Sequence, residues 1–340
     1  MRRTAYAVMA VTLVVLAGRL PARAQTGWEV EKIFHIGGEG GWDYLTVDPE
    51  THRLFVPRST HTMVIDSASG KVLGDIPGQK IAHGVAIVPR VGRGFISDGG
   101  GNGGIVVFDL KTYAVLGTLP AQPDADGIIY DPAIGQVLVV SGDGGTLMSF
   151  KPDIDPQNGR IDTSIDLGGA PEFLASDGAG KVFVNLMNKD EVAVVNLKEQ
   201  KVVARWPVAP GGAPVGMSID RKAHQLFIGC RKPQKLIVMS TDNGKVVADM
   251  PIGEGVDATK FDGGLAFASC RDGSLTVAAE KSEKFEIVQT VKTSLGARTM
   301  GLDPTDHRIY LPTAEYDQPE TSGRPKMKPG TFMIVVVARH

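Results

Sequence analysis

The feature that most constrains this chain is internal repetition. The phrase "YLTVDPETHRLFVP", from Tyr44, returns as "GVAIVPRVGRGFIS" from Gly84, "GIIYDPAIGQVLVV" from Gly127 and "FLASDGAGKVFVN" from Phe173. It returns again as "GMSIDRKAHQLFIG" from Gly216, "ATKFDGGLAFAS" from Ala258 and "TMGLDPTDHRIYLP" from Thr299. Successive starts lie 40, 43, 46, 43, 42 and 41 residues apart. A period of about 42 residues is too long for one hairpin and has the length of a four-stranded sheet, as in WD40-like arrays.

The fourth copy shows the unit plainly: "EFLAS", turn "DGAG", "KVFVNL", turn "MNKD", "EVAVVNL", turn "KEQ", "KVVARWPV". Short alternating or apolar runs separated by turn residues are strands of an antiparallel sheet. Asp66, Asp109 and Asn196 stand where a strand gives way to a turn, a place where such side chains bond the backbone. With 42 Gly and 21 Pro the chain suits many short strands better than long helices. The expectation is an all-β chain forming a single domain over residues 25–340, a seven-bladed β-propeller with four antiparallel strands per blade. The last copy lacks a fourth strand, and "WEVEKIFHI", from Trp28, has no blade of its own. That segment is expected to complete the last blade as its outermost strand and so close the ring.

The stretch "GKVFVNLMNKDEVAVVNLKEQKVVARWPVAPGGAP" resembles the YVTN-type repeat, in which a "YVTN"-like strand, a "VSVID"-like strand and a "VVATIPVG"-like strand follow one another across polar turns. "TMVIDSASGKVLGDIPG" and "IVVFDLKTYAVLGTLPA" fit as well. The resemblance spans about Trp28 to His340 and departs from the pattern at "KPDIDPQNGRID" and at an insertion from Thr313 to Gly330. It implies the fold and leaves the function open. That family and its relatives include secreted binding proteins, surface-layer proteins, a YncE-like periplasmic group associated with DNA binding, propeller parts of redox enzymes, and lactonases.

Residues 1–24 read as a secretory signal peptide: Arg2 and Arg3, an apolar run "AYAVMAVTLVVLAG", and "ARA" before a cut after Ala24. The run is too short to span a bilayer, so the mature chain is expected to be soluble in the periplasm or outside the cell, as a monomer. Of 36 basic residues four arginines leave with the leader, so 32 face 38 acidic ones and the net charge becomes -6. That balance disfavours nucleic acid as a partner. Cys230 and Cys270 hold the same repeat position in adjacent units, where inner geometry sets them too far apart for a disulfide. They read as buried thiols.

Aligning the copies places Asp43, His83, Asp126, Glu172, Val215, Asp257 and Arg298 together at the start of the innermost strand, where they would ring one mouth of a central channel. Two readings stand. The ring is a solvated, structural feature, with Arg298 between Asp257 and Asp43 as an ion-pair cluster at the seam. Or His83, Asp126 and Glu172, consecutive and acidic in excess, form a funnel for a cation or a cationic or hydroxyl-rich small ligand. Direct coordination of one metal by those three is disfavoured by the spacing of neighbouring strands; a water-bridged Ca²⁺ is the metal option, and no other cofactor is expected. Loops on the same face bring Arg231 and Arg271, so an anion held by Arg231, Arg271 and Arg298 is a second pose. Tyr316, in the insertion, either reaches over the channel or packs on a blade edge.

The chain carries no "CxxCH", no "GxSxG" and no phosphate loop. The leading expectation is therefore a non-enzymatic binding or interaction protein for a small molecule or protein partner. A lactonase-type hydrolase or isomerase, using the carboxylates and His83 with an arginine on the oxyanion, is the alternative. Single-stranded DNA binding ranks third, for want of aromatic platforms beside basic residues.

Overall fold

Alternation in the sequence becomes strands where it was read. In the fourth copy they run Pro171–Ser176, Lys181–Leu186, Glu191–Asn196 and Lys201–Pro207, hydrogen-bonded in that order as one antiparallel sheet. The computed structural model describes residues 27–161, 163–317 and 326–340. The expected signal peptide therefore lies outside the described residues. Burial explains why the runs differ in composition. The middle strands Lys181–Leu186 and Glu191–Asn196 are buried on both faces and read as continuous apolar stretches, whereas the outer strand Lys201–Pro207 alternates between exposed and half-buried positions. Turn side chains act as expected: Asp109 Oδ1 accepts the N–H groups of Lys111 at 3.0 Å and Thr112 at 2.7 Å, and Asn196 Oδ1 that of Lys198 at 3.0 Å.

Four further sheets have the same four-stranded antiparallel order. One larger sheet has seven strands, because the 17-residue strand Val72–Val88 is the outer strand of one unit and the inner strand of the next without a break. Trp28–His35 pairs antiparallel with the final strand Met333–Arg339, from Trp28 opposite Arg339 to His35 opposite Met333, as the outermost strand of its sheet. Side chains strengthen that pairing. Arg308 grips Glu31 through Nε at 2.8 Å and Nη2 at 3.2 Å, and Gln289 brackets the Trp28 backbone, accepting from its N–H and donating to its carbonyl.

From Thr46–Asp48 through Val72–Val88, Ala125–Asp131, Pro171–Ser176 and Pro214–Asp220 to Val256–Asp262, inner strands of successive units pack against one another. Units distant in the chain meet at the inner strands: Tyr44 from the first unit approaches Phe173 from the fourth with ring centroids 4.8 Å apart. Between the sheets, apolar side chains form continuous cores such as Phe183, Val194, Met217, Ile228 and Met239. Cys230 and Cys270 are separate thiols buried between sheets, where loss of solvent pushes both up to about 12.

Candidate functional site

The aligned ring positions do meet at one end of the channel, but they pair in two separate groups. Close approach of the inner strands sets this up. Gly84 and Gly127 directly follow His83 and Asp126. A Cβ at Gly127 would stand 2.8 Å from the Glu172 carbonyl oxygen, and one at Gly84 would stand 2.9 Å from Ile128. Glycine therefore lets neighbouring inner strands draw together. The side chains of Asp43, His83 and Asp126 come within reach of one another, whereas Glu172, the third member of the expected funnel, is not among the atoms so close.

In the first group His83 Nδ1 lies 2.8 Å from Asp43 Oδ2 and 3.6 Å from Asp126 Oδ1, and its Nε2 lies 3.6 Å from Asp124 Oδ1. Asp124 was not singled out by the alignment; it precedes the ring position by two residues. One ligand atom from each of Asp43, His83 and Asp126 falls within 4.8 Å of the others, so these three could hold a metal ion. Only 13 % of the Asp126 side chain is exposed, and its Oδ1 is buried without a hydrogen bond, as is His83 Nε2. Burial holds the Asp43 carboxyl above the ordinary range despite the His83 bond, and raises Asp126 well above it, with Asp43, Glu172 and Asp124 adding repulsion. Asp124 is held below its usual value by the imidazole of His83 facing it. Burial works against charge on His83, but the carboxylates overcome it and lift the imidazolium to about 11. Glu172, without a hydrogen bond or ion pair through its side chain among the described residues, is raised by burial to about 7, Arg231 pulling it down and Asp257, Asp43 and Asp124 pushing it up.

The second group centres on Asp257, whose side chain is 7 % exposed. Its Oδ1 accepts from Arg231 Nη2 and its Oδ2 from Arg298 Nε at 2.5 Å. Arg231 Nε is also committed, to the Val256 carbonyl at 3.0 Å. The proposed ion-pair seam thus exists, but with Arg231 in place of Asp43, which faces His83 instead. Two arginines already claimed by one carboxylate make a poor anion receptor. Arg271 is within electrostatic reach of Tyr316. Val215 is buried and leaves the ring an apolar gap. Tyr316 packs beside the core of Trp42 and Phe332, and its hydroxyl lies where a Cβ on Gly296 would be. Residues 318–325 of the insertion lie outside the described residues.

Several loop residues on this face pin backbone. Asp98 accepts the N–H groups of Lys80, Ile81 and Gly100, Asp272 that of Glu254, and Asn188 that of Ala170. Arg58, in the polar stretch "PRSTHT", is at 0 % exposure: it donates to the carbonyls of Gly37, Gly38, Glu39, Gly40 and Gly41 and stacks 3.6 Å from the Phe332 centroid.

No protein-family model and no curated protein sequence matches the chain. Among solved structures it is similar to Kuenenia stuttgartiensis hydrazine synthase, with a TM-score of 0.69, 14 % identity, and coverage of 80 % of this chain and 92 % of that one. It is also similar to a chain of the mitotic checkpoint complex, with a TM-score of 0.72, 12 % identity, and coverage of 90 % and 95 %. Both neighbours are β-propellers, and the fold of this chain is a WD40-like β-propeller. At such identities the likeness concerns the fold alone.

Proposed function

We propose that this chain is a non-enzymatic binding propeller of the YVTN type, acting in the periplasm or outside the cell. Its ring has seven blades and is closed by the Trp28–His35 strand. The count is supported by seven four-stranded units, two of them sharing Val72–Val88, and closure by the pairing of that strand with Met333–Arg339. Localisation rests on the leader-like residues 1–24 alone. The ligand is cationic, a divalent ion or the head group of a small amine, and binds at the mouth formed by Asp43, His83, Asp124, Asp126 and Glu172. The observation that carries this reading is Asp126 Oδ1, a buried carboxylate oxygen with no donor, in a cluster where acids outnumber the single imidazole. Calorimetric titration with Ca²⁺, Mg²⁺, Mn²⁺, Zn²⁺ and a series of small amines tests it. One of them binds saturably to the chain, and Asp126→Asn removes that binding; absence of binding across the panel ends the proposal.

A second reading has its own observation. Glu172, near 7, beside a protonated-leaning Asp126, is a pair of carboxyls suited to proton transfer, as a lactonase-type hydrolase would use. Turnover of a lactone panel that Glu172→Gln abolishes would replace the binding proposal.

A further inference from the structure

Beyond the mouth, the channel contains a second cavity, of about 220 Å³, that owes nothing to the reading above. Tyr44 and Phe173, their rings tilted against each other, line it together with Val85, Ile128 and Ile129, and Lys260 comes from the sixth repeat. Tyr44, Val85, Ile128 and Phe173 are buried, whereas Thr46, Ile87 and Tyr130 are half-buried, so the cavity opens away from the acidic mouth. Lys260 follows the ring residue Asp257 by three positions, about 10 Å along an extended strand.

Lys260 is the one charged residue of that lining. Its Nζ stands 5.7 Å from the Phe173 centroid, near the outer limit of a cation–π contact. No carboxylate among the described residues pairs with it, and burial alone pulls its ammonium below the ordinary value. The Thr46 hydroxyl beside it is committed to the Val85 carbonyl at 2.6 Å. A cation set among apolar walls without an anion is a site whose charge is unmet. A neutral ligand would leave it so, a second cation would worsen it, and a dianion would bring one charge too many. The volume equals about seven waters at roughly 30 Å³ each, room for an acid of about four to six carbons.

We propose that this cavity binds a small organic monocarboxylate, its carboxylate on Lys260 and its hydrocarbon body between Phe173 and Ile129. Calorimetry on the full chain with butanoate, hexanoate and benzoate, against butanol, hexanol and butylamine, is the test. The acids bind saturably, the alcohols and the amine do not, and Lys260→Met lowers acid affinity by about tenfold or more while the circular dichroism spectrum is unchanged. In the unchanged protein with carbon-13-labelled lysine, hexanoate shifts the Lys260 Cε resonance and raises the pH at which it titrates, a reading that does not depend on the variant folding. Equal affinity for hexanol, undiminished hexanoate binding in Lys260→Met, or a Lys260 resonance indifferent to hexanoate overturns the proposal.

Discussion

The two halves of the channel mouth each set aspartates against basic side chains and are satisfied very differently. Around Asp257, two guanidinium groups meet one carboxylate, each of its oxygens has a charged donor, and Arg231 Nε reaches the Val256 carbonyl. Around His83, the carboxyls of Asp43, Asp124 and Asp126 compete for one imidazole with two N–H groups, and only Asp43 obtains a bond of 2.8 Å. The supply of donors to each carboxylate is therefore what separates a strut from a receptive site. A saturated cluster holds strands together, whereas an under-supplied one keeps a demand that a ligand can meet.

Removing the shared acid of the saturated half should have the largest effect. Asp257→Ala leaves Arg231 and Arg298 facing each other with their partner gone, and breaking a buried pair in this way costs about 3 kcal/mol. Urea unfolding should show that loss with little change in slope; a loss under about 1 kcal/mol would mean that solvent screens the pair and that the contrast is false. On the receptive half Glu172→Gln should act with the opposite sign, and increasingly as pH rises from about 5 through 7. The folded group titrates near 7 against 4.5 when free, so the folded chain holds the extra proton between those values. Its contribution to stability is thus intact below about 4.5 and is lost as pH rises through 7. The glutamine variant should match the parent at pH 5 and exceed it by about 2 kcal/mol at pH 9, measured by thermal unfolding at both. A variant offset that is constant with pH would place Glu172 in ordinary solvent.

The repeat was legible because every unit but the last spells its own four strands, and ring positions could be aligned because each inner strand starts at the same point of the period. Pairing was not legible. Asp124 sits off the aligned position, and whether Asp43 faces Arg298 or His83 depends on how closely inner strands approach. Arg58 and Lys260 were missed for opposite reasons. "PRSTHT" has the polarity of a solvated turn, yet its arginine is folded inward onto five carbonyls. "ATKFD" has the pattern of a strand, and nothing local says that its lysine faces the channel. The glycines that bring the cluster together were visible as letters, but their effect is a distance between segments 45 residues apart.

That distance can be altered directly. Gly127→Ala places a methyl 2.8 Å from the Glu172 carbonyl oxygen, so one inner strand has to move. Overpacking of this kind costs about 1–2 kcal/mol. It should also weaken cation binding at the mouth. Because no charge is altered, a loss of cation affinity would show that the cluster depends on strand approach; full affinity would show that carboxylates alone suffice.

The smallest expected effect divides the two halves most sharply. Asp126→Asn removes one negative charge from a cluster that has too many, and it supplies an amide donor where an oxygen has none. Without added ligand the variant should therefore unfold at the same temperature or slightly above the parent, by about 0.5–1 kcal/mol of stability near neutral pH. A residue retained for stability would show the reverse, as Asp257 should. With the cation present the order should invert, since the parent gains the binding free energy and the variant does not. A variant less stable than the parent without ligand would mean that Asp126 serves His83 as a structural partner, and the mouth would then be saturated on both sides.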